Sequence, residues 1–270
     1  MQIASPASGQ GLARYETLDI HMQAIECVIQ VMHSHMHEDL ALEDLASVAC
    51  LSPYHFNRVF RRLIGIPPVE FLSALRFQAA RRLLLTTSLS VTDICFEVGY
   101  SSMGSFTTRF TQLVGLSPRL LRQRAHEFEP PFIEEPVEAA AKRFSGNSDV
   151  RMKNTIRGWI SAPASFQGTI YVGLFTSPIP QGAPVRCTKL HAAGTYALHG
   201  VIDGVYYLRS AAFPQAADLR ACLLPGEKIL LGSNMSPLVV QGGLVSGSAD
   251  LVLHPPRLTD PPLVMGLPLL

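Results

Sequence analysis

Arginine is the residue type whose placement first suggests chemistry. Between residues 52 and 128 the basic residues are Arg58, Arg61, Arg62, Arg76, Arg81, Arg82, Arg109, Arg119, Arg122 and Arg124, with no lysine among them. Ten arginines face only Glu70, Asp93, Glu97 and Glu127, a net charge of +6. Residues 1 to 51 hold one arginine against seven acids, a net charge of −6. The overall charge of +1 therefore hides two opposed segments. A guanidinium is a planar fork that fits two acceptors at once, on phosphate or on a guanine edge, better than lysine does. The basic segment is the electrostatic footprint expected of a phosphate-binding face.

Other chemistry is sparse. His33 and His37 would share a helix face and could pair on a metal, but no third ligand lies at a convincing spacing. The plainer reading is polar residues at a helix C-terminus, where the dipole favours partly protonated histidine. Cys187 and His191 are too few for a metal site. The five cysteines are odd in number and scattered, as expected of small buried residues in a reducing compartment. There is no Gly-x-Ser-x-Gly, no phosphate-cradling glycine loop and no cluster of metal ligands. Asp203, Asp218, Glu227, Asp250 and Asp260 stand apart as turn and surface acids. The expectation is no enzyme, no cofactor and no metal.

The elements that must position the arginines come as a repeat. Leu42-Glu43-Asp44-Leu45-Ala46 is followed by a break at Cys50-Leu51-Ser52, then Phe56-x-x-x-Phe60-x-x-Leu63-x-Gly65-Ile66-x-Pro68. Val91-Thr92-Asp93-Ile94-Cys95 is followed by Gly99-Tyr100-Ser101-Ser102, then Phe106-x-x-x-Phe110-x-x-Leu113-x-Gly115-Leu116-x-Pro118. Asp44 to Asp93 is 49 residues and Phe60 to Phe110 is 50, so the second turn carries one extra residue. Short helix, tight turn and longer helix, repeated, read as two helix-turn-helix units. Ser52-Pro53, Ser90 and Ser117-Pro118 are helix starts, and Gly65 a helix stop. Pro67-Pro68 opens a long helix to about Leu85, with an apolar stripe of Phe71, Leu72, Leu75, Ala79 and Leu83 and a basic side of Arg76, Arg81 and Arg82. That helix is the rigid spacer between the units. A further helix covers Ile20 to about Met36.

Composition divides the chain: a mobile tail over 1–18, an all-α region over 19–128, a Pro-, acid- and Ser/Gly-rich linker over 129–150, and a β region over 151–270. The last region holds short β-rich runs between turns: Thr155 to Ile160, Thr169 to Phe175, Gly194 to Leu198, Val205 to Ala211, Lys228 to Leu231, Leu238 to Val240 and Leu251 to Leu253. This density points to an all-β sandwich, with Asp203-Gly204 as a hairpin turn and an extended tail from Pro255. The chain is 47% hydrophobic with mean hydropathy +0.22, so both regions can bury cores. No apolar run reaches the ~20 residues of a membrane span, and the start lacks a signal-peptide pattern, so a cytoplasmic setting is expected.

Residues 20–125 resemble the AraC/XylS family of bacterial transcription regulators. The resemblance rests on Leu45-Ala46, Ser52-x-x-x-Phe56-x-Arg58-x-Phe60, Gly65-x-x-Pro68-x-x-Phe71-Leu72 and Arg76-x-x-x-Ala80-x-x-Leu83-Leu84. It continues through Ile94-Cys95-x-x-Val98-Gly99-Tyr100-Ser101-Ser102, Phe106-x-x-x-Phe110 and Gly115-x-Ser117-Pro118. It implies a seven-helix domain whose two recognition helices enter adjacent major-groove segments of promoter DNA, and activation through contact with RNA polymerase. Carried over by position, the base-reading residues are Tyr54, Asn57 and Arg58 in the first unit. In the second they are Met103, Ser105 and Thr108, with Gly104 reading nothing. Ser52, Arg61, Arg62, Ser102 and Arg109 fall on phosphate positions.

The β region looks like a prealbumin-like, carboxypeptidase-regulatory-type sandwich over Gly168–Phe175 and Gly194–Leu208. As the second domain it would sense a small-molecule effector, assemble a homodimer, or both. Trp159, Tyr171, Tyr206 and Tyr207 could line its pocket. The alternatives are an enzyme, or a pure protein-interaction module, tethered to DNA.

Overall fold

The computed structural model describes residues 9–127, 154–180, 182–215, 224, 228–234 and 236–264. Seven helices come first: α1 (Gly9–Ser34), α2 (Leu42–Val48), α3 (Pro53–Ile64), α4 (Pro68–Thr86), α5 (Val91–Glu97), α6 (Met103–Val114) and α7 (Pro118–Glu127). Nine strands follow among the described residues: β1 (Asn154–Ser161), β2 (Gly168–Phe175), β3 (Arg186–Leu190), β4 (Gly194–Val201), β5 (Gly204–Pro214), β6 (Leu230–Ser233), β7 (Leu238–Gln241), β8 (Leu244–Ser246) and β9 (Leu251–Val252). No helix among the described residues is long and apolar enough to cross a membrane. The expected linker over 129–150 lies outside the described residues. Residues 9–18, expected within a mobile tail, are helical. Leu12, Tyr15 and Leu18 carry the three-residue spacing that a reading begun at Ile20 passes over.

The two helix-turn-helix units repeat in local detail. Ser52 and Ser102 cap α3 and α6 by accepting from the backbone N–H of His55 and Ser105. Gly65 and Gly115 end these helices in left-handed conformation, their N–H groups donating to Arg61 O and Thr111 O. The inserted residue lies between the left-handed turn residue and the cap: two steps separate Cys50 from Ser52, three separate Gly99 from Ser102.

The turns differ in what surrounds them. Gly99 has φ +80°, and a Cβ there would stand 2.8 Å from His37 O and 2.9 Å from Met36 O. The second turn thus backs directly onto the α1–α2 connection, where only glycine fits. Cys50 is exposed and holds φ 53°, the one positive φ among the described non-glycine residues. A side chain in this region costs about 1 kcal/mol, partly offset by the lower chain entropy of non-glycine residues. Cys50→Gly is therefore expected to raise the urea unfolding midpoint, by about 0.5 kcal/mol in stability. A lowered midpoint would mean that the thiol packs against its turn.

α4 is the shared core of both units. Phe71 meets Phe60 of α3 edge-on at 5.7 Å between ring centroids. Two turns on, Phe77 contacts the rings of Tyr100, Phe106 and Phe110 at 5.1, 5.8 and 6.0 Å. A single apolar cluster runs from Ile25 of α1 to Leu121 of α7 through this helix. The single stripe read from sequence is too narrow: Ala74, Phe77, Ala80, Arg81 and Leu84 are buried as well. The expected basic side is corrected too. Arg81 is fully buried, Arg76 is half-buried, and Arg82 alone of the three is exposed. Arg76 donates through Nε to Met36 O (2.6 Å) and through Nη2 to Glu38 O (2.7 Å), and lies 5.8 Å over the Tyr100 ring. It fastens the first unit's entry loop to the second unit's turn.

The strands form two sheets, β4-β1-β9 and β3-β2-β5-β7-β8, with β6 also paired to β5. Ile156, Ile160 and Leu198 of the first share one apolar cluster with Ile170, Val172, Leu174 and Leu208 of the second. Asp203-Gly204 does not close a hairpin. β4 pairs with β1 and β5 with β2, β6 and β7, so this dipeptide carries the chain from one sheet to the other. The Asp203 carboxylate accepts from Asn154 Nδ2 (3.0 Å) and Gly242 N (2.9 Å). β3 and β8 carry little strand signal in sequence, since Arg186-Cys187-Thr188-Lys189-Leu190 and Leu244–Ser246 show no alternating run of β-formers.

The two regions meet along a seam. Ile179, from the β2–β3 connection, and Val264 are both buried in the helical core. Arg81 Nη1 donates to Val264 O at 2.9 Å, and Gly182 N to Leu113 O at 3.2 Å. Burial pulls the Arg81 guanidinium down to about 10, still charged at neutral pH. The segment after Pro255, expected to lie along the β region, does so where Leu263 packs over Ala211, Phe213 and Ile229, and then delivers Val264 to the helices.

Candidate nucleic-acid interface

Burying Phe56, Val59, Phe60 and Ile64 of α3 leaves the remaining faces of that helix to solvent. Tyr54, Asn57, Arg58, Arg61 and Arg62 all lie there and are exposed. Tyr54 is 81% exposed, an unusual setting for a large aromatic ring and one typical of contact surfaces. In α6 the buried set is Phe106, Phe110, Leu113 and Val114. Gly104, Ser105, Thr108 and Arg109 are exposed and Met103 half-buried, packed at the edge of the core. Ser52 and Ser102 are exposed, but their hydroxyls already accept the capping N–H groups. Each could still donate its proton to an outside acceptor.

The outward chemistry of the two units differs. Arg58 can span guanine O6 and N7, Asn57 can pair with an adenine edge, and Tyr54 can meet a thymine methyl or a phosphate. Met103 offers apolar contact, Ser105 and Thr108 single hydroxyls, and Gly104 no side chain. Arg61, Arg62, Arg58 and Arg109 bring positive charge to these helices, and none is held in an ion pair among the described residues.

One neighbour was not legible in sequence. His21 of α1 stacks edge-on against His55 of α3 at 5.7 Å, and the two share a shallow pocket with Arg58 and Arg62. Thirty-four residues separate the histidines, so no local spacing announces the pair.

The proposed aromatic pocket does not assemble. Trp159 is half-exposed on β1, in the three-stranded sheet. Tyr206 is buried in the β core with its hydroxyl on Ile202 O, while Tyr171 packs against Phe213 on the opposite face of β2 and β5. Tyr207 alone lines a cleft, at the seam with the helices. His37 falls beyond the end of α1, off the helix that holds His33, and among the described residues no three His, Cys, Asp or Glu side chains gather as metal ligands. Burial pushes the Cys187 thiol above its ordinary pKa, which opposes thiolate reactivity.

A helix-turn-helix domain model matches residues 45–124. The HTH-type transcriptional activator AarP of Providencia stuartii is 34% identical over 37% of this chain and 74% of its own length. The bifunctional transcriptional activator/DNA repair enzyme AdaA of Bacillus subtilis is 32% identical over 37% of this chain and 47% of its own. Several curated relatives are likewise matched over less than half their length. Among solved structures, the DNA-binding domain of AdpA, in complex with a target DNA, is 32% identical over 38% of this chain and 95% of that one, with TM-score 0.36. The match to AarP spans most of that protein, and the domain model falls on the paired helix-turn-helix units described above: the chain belongs to the AraC family of helix-turn-helix transcription regulators.

Proposed function

We propose that the chain is a sequence-specific regulator of promoter DNA, working as an activator that contacts RNA polymerase. Its two recognition helices, α3 and α6, enter adjacent major-groove segments. Tyr54, Asn57 and Arg58 do most of the base reading, and Met103, Ser105 and Thr108 add weaker readout. Ser52, Arg61, Arg62, Ser102 and Arg109 hold phosphates. The observation that carries this reading is the twin exposed face on α3 and α6, with Tyr54 81% exposed beside three arginines that join no ion pair among the described residues. Two readers on one chain allow a monomer to bind an asymmetric site of about two helical turns.

In this reading the DNA-binding domain spans 19–128, 129–150 is a linker, and 151–270 is a β-sandwich that senses an effector or assembles a homodimer rather than catalysing a reaction. The seam supports a sensing role, because Val264 and Ile179 couple that region physically to the helices.

The electrostatic part is tested by salt. Each phosphate contact steepens the fall of log K with log salt by about 0.9. Replacing Arg61, Arg62 and Arg109 together with glutamine is expected to flatten that slope by about 2.7. An unchanged slope in filter binding or anisotropy would remove these side chains from the phosphate contacts.

A further inference from the structure

The seam holds an open cleft of about 350 Å³, at the small end of the range for ligand sites. Its walls come from both regions. Arg61 at the end of α3, Ser73 and Glu70 on α4, and Arg109 on α6 face Ser177 and Tyr207. Two guanidiniums against one carboxylate leave one positive charge in excess. Neither arginine donates a hydrogen bond or joins an ion pair with a described residue, whereas Arg209 just behind is spent on the carbonyls of Leu208, Asn234 and Pro178. The accessible apolar surface of the cleft comes from Pro67 and Pro178, both half-buried, with Leu113 and Ile179 almost fully buried at its base. Ser73 shares a hydrogen bond with Tyr100 Oη at 3.1 Å, so its hydroxyl is oriented.

The geometry points to this cleft as the site of a small organic monoanion, a carboxylate carried on an apolar or aromatic body. The carboxylate takes the guanidinium forks of Arg61 and Arg109 and the Tyr207 and Ser177 hydroxyls. The apolar body covers Pro67 and Pro178. Glu70 opposes a second negative charge. The consequence for DNA rests on the proposed phosphate role of the same two arginines. A guanidinium held by the ligand is withdrawn from phosphate, so ligand and DNA weaken one another by the same factor.

The probes are phenylacetate, its neutral isostere phenylacetamide, and inorganic phosphate, titrated into the full chain without DNA by calorimetry. Phenylacetate is expected to bind saturably, one per chain, and the other two at least tenfold more weakly. No saturable binding of phenylacetate would overturn the site. Equal binding of phenylacetamide, or of phosphate, would overturn the assigned class. The double variant Tyr207→Phe with Ser177→Ala is expected to weaken phenylacetate about tenfold, with an unchanged DNA dissociation constant in the absence of ligand. An unchanged phenylacetate affinity there would place the ligand elsewhere. A second arm measures DNA affinity with saturating phenylacetate at fixed ionic strength, where a several-fold loss is expected. Binding to the chain without that loss would uphold the site and release Arg61 and Arg109 from the phosphate contacts.

Discussion

Replacing Phe77 with alanine is expected to destabilise the protein by about 3–5 kcal/mol. The ring is fully buried and touches Tyr100, Phe106 and Phe110 at once. Removing it leaves a cavity bordered by rings fixed on α6 and on the second turn, which cannot collapse far because Gly99 already presses on the α1–α2 loop. Denaturant unfolding monitored by helical circular dichroism measures the loss. A cost below about 1 kcal/mol would mean that α4 is not the common core of the two units. The same variant should retain less DNA affinity, since the second unit loses its anchor while the Phe71–Phe60 contact of the first is untouched.

Arg58→Ala is expected to cost about 1–3 kcal/mol on the correct DNA site and much less on DNA changed at one base pair, the one that Arg58 reads. Arg58 is exposed on the α3 face opposite Phe56 and Phe60, so its removal leaves the core intact and should not shift unfolding. Competition binding against a panel of single-base variants separates the possibilities. An equal loss on every sequence would make Arg58 a phosphate contact. The corresponding change Thr108→Ala in α6 is expected to cost less, because a lone hydroxyl makes one hydrogen bond where guanidinium makes two.

Much of the helical region could be read from residue types because its signals are local. Ser52-Pro53, Gly65, Gly115 and the paired phenylalanines state where helices start, stop and face, and the 49-to-50 shift in spacing locates the inserted turn residue. What stayed hidden depends on contacts distant in sequence. α4 has buried residues beyond its single apparent stripe because two units and a C-terminal segment pack around it, so Arg81 looks like a surface cation until Val264 arrives from 183 residues away. Asp203-Gly204 has the composition of a hairpin turn, but pairing of the flanking strands with other partners decides the topology. Among the interface residues, the exposure of Tyr54, Asn57 and Arg58 follows from the burial of Phe56 and Phe60 at helical spacing. The neighbourhood of His21, and the cleft that brings Tyr207 near Arg61 and Arg109, follow from tertiary packing alone.

In this account α4 holds two DNA readers at one fixed separation. α4 is a continuous helix of 19 residues, about 28 Å long, packed by both units. The direct measurement is the affinity of the full chain for its DNA site with about 5 or about 10 base pairs inserted between the segments read by α3 and α6. Both insertions should reduce binding to the level of a single segment, because neither rotation nor distance can be taken up by a rigid spacer. Recovery of full affinity at the longer insertion, where the helical face is restored, would show two independently tethered readers and contradict the claim.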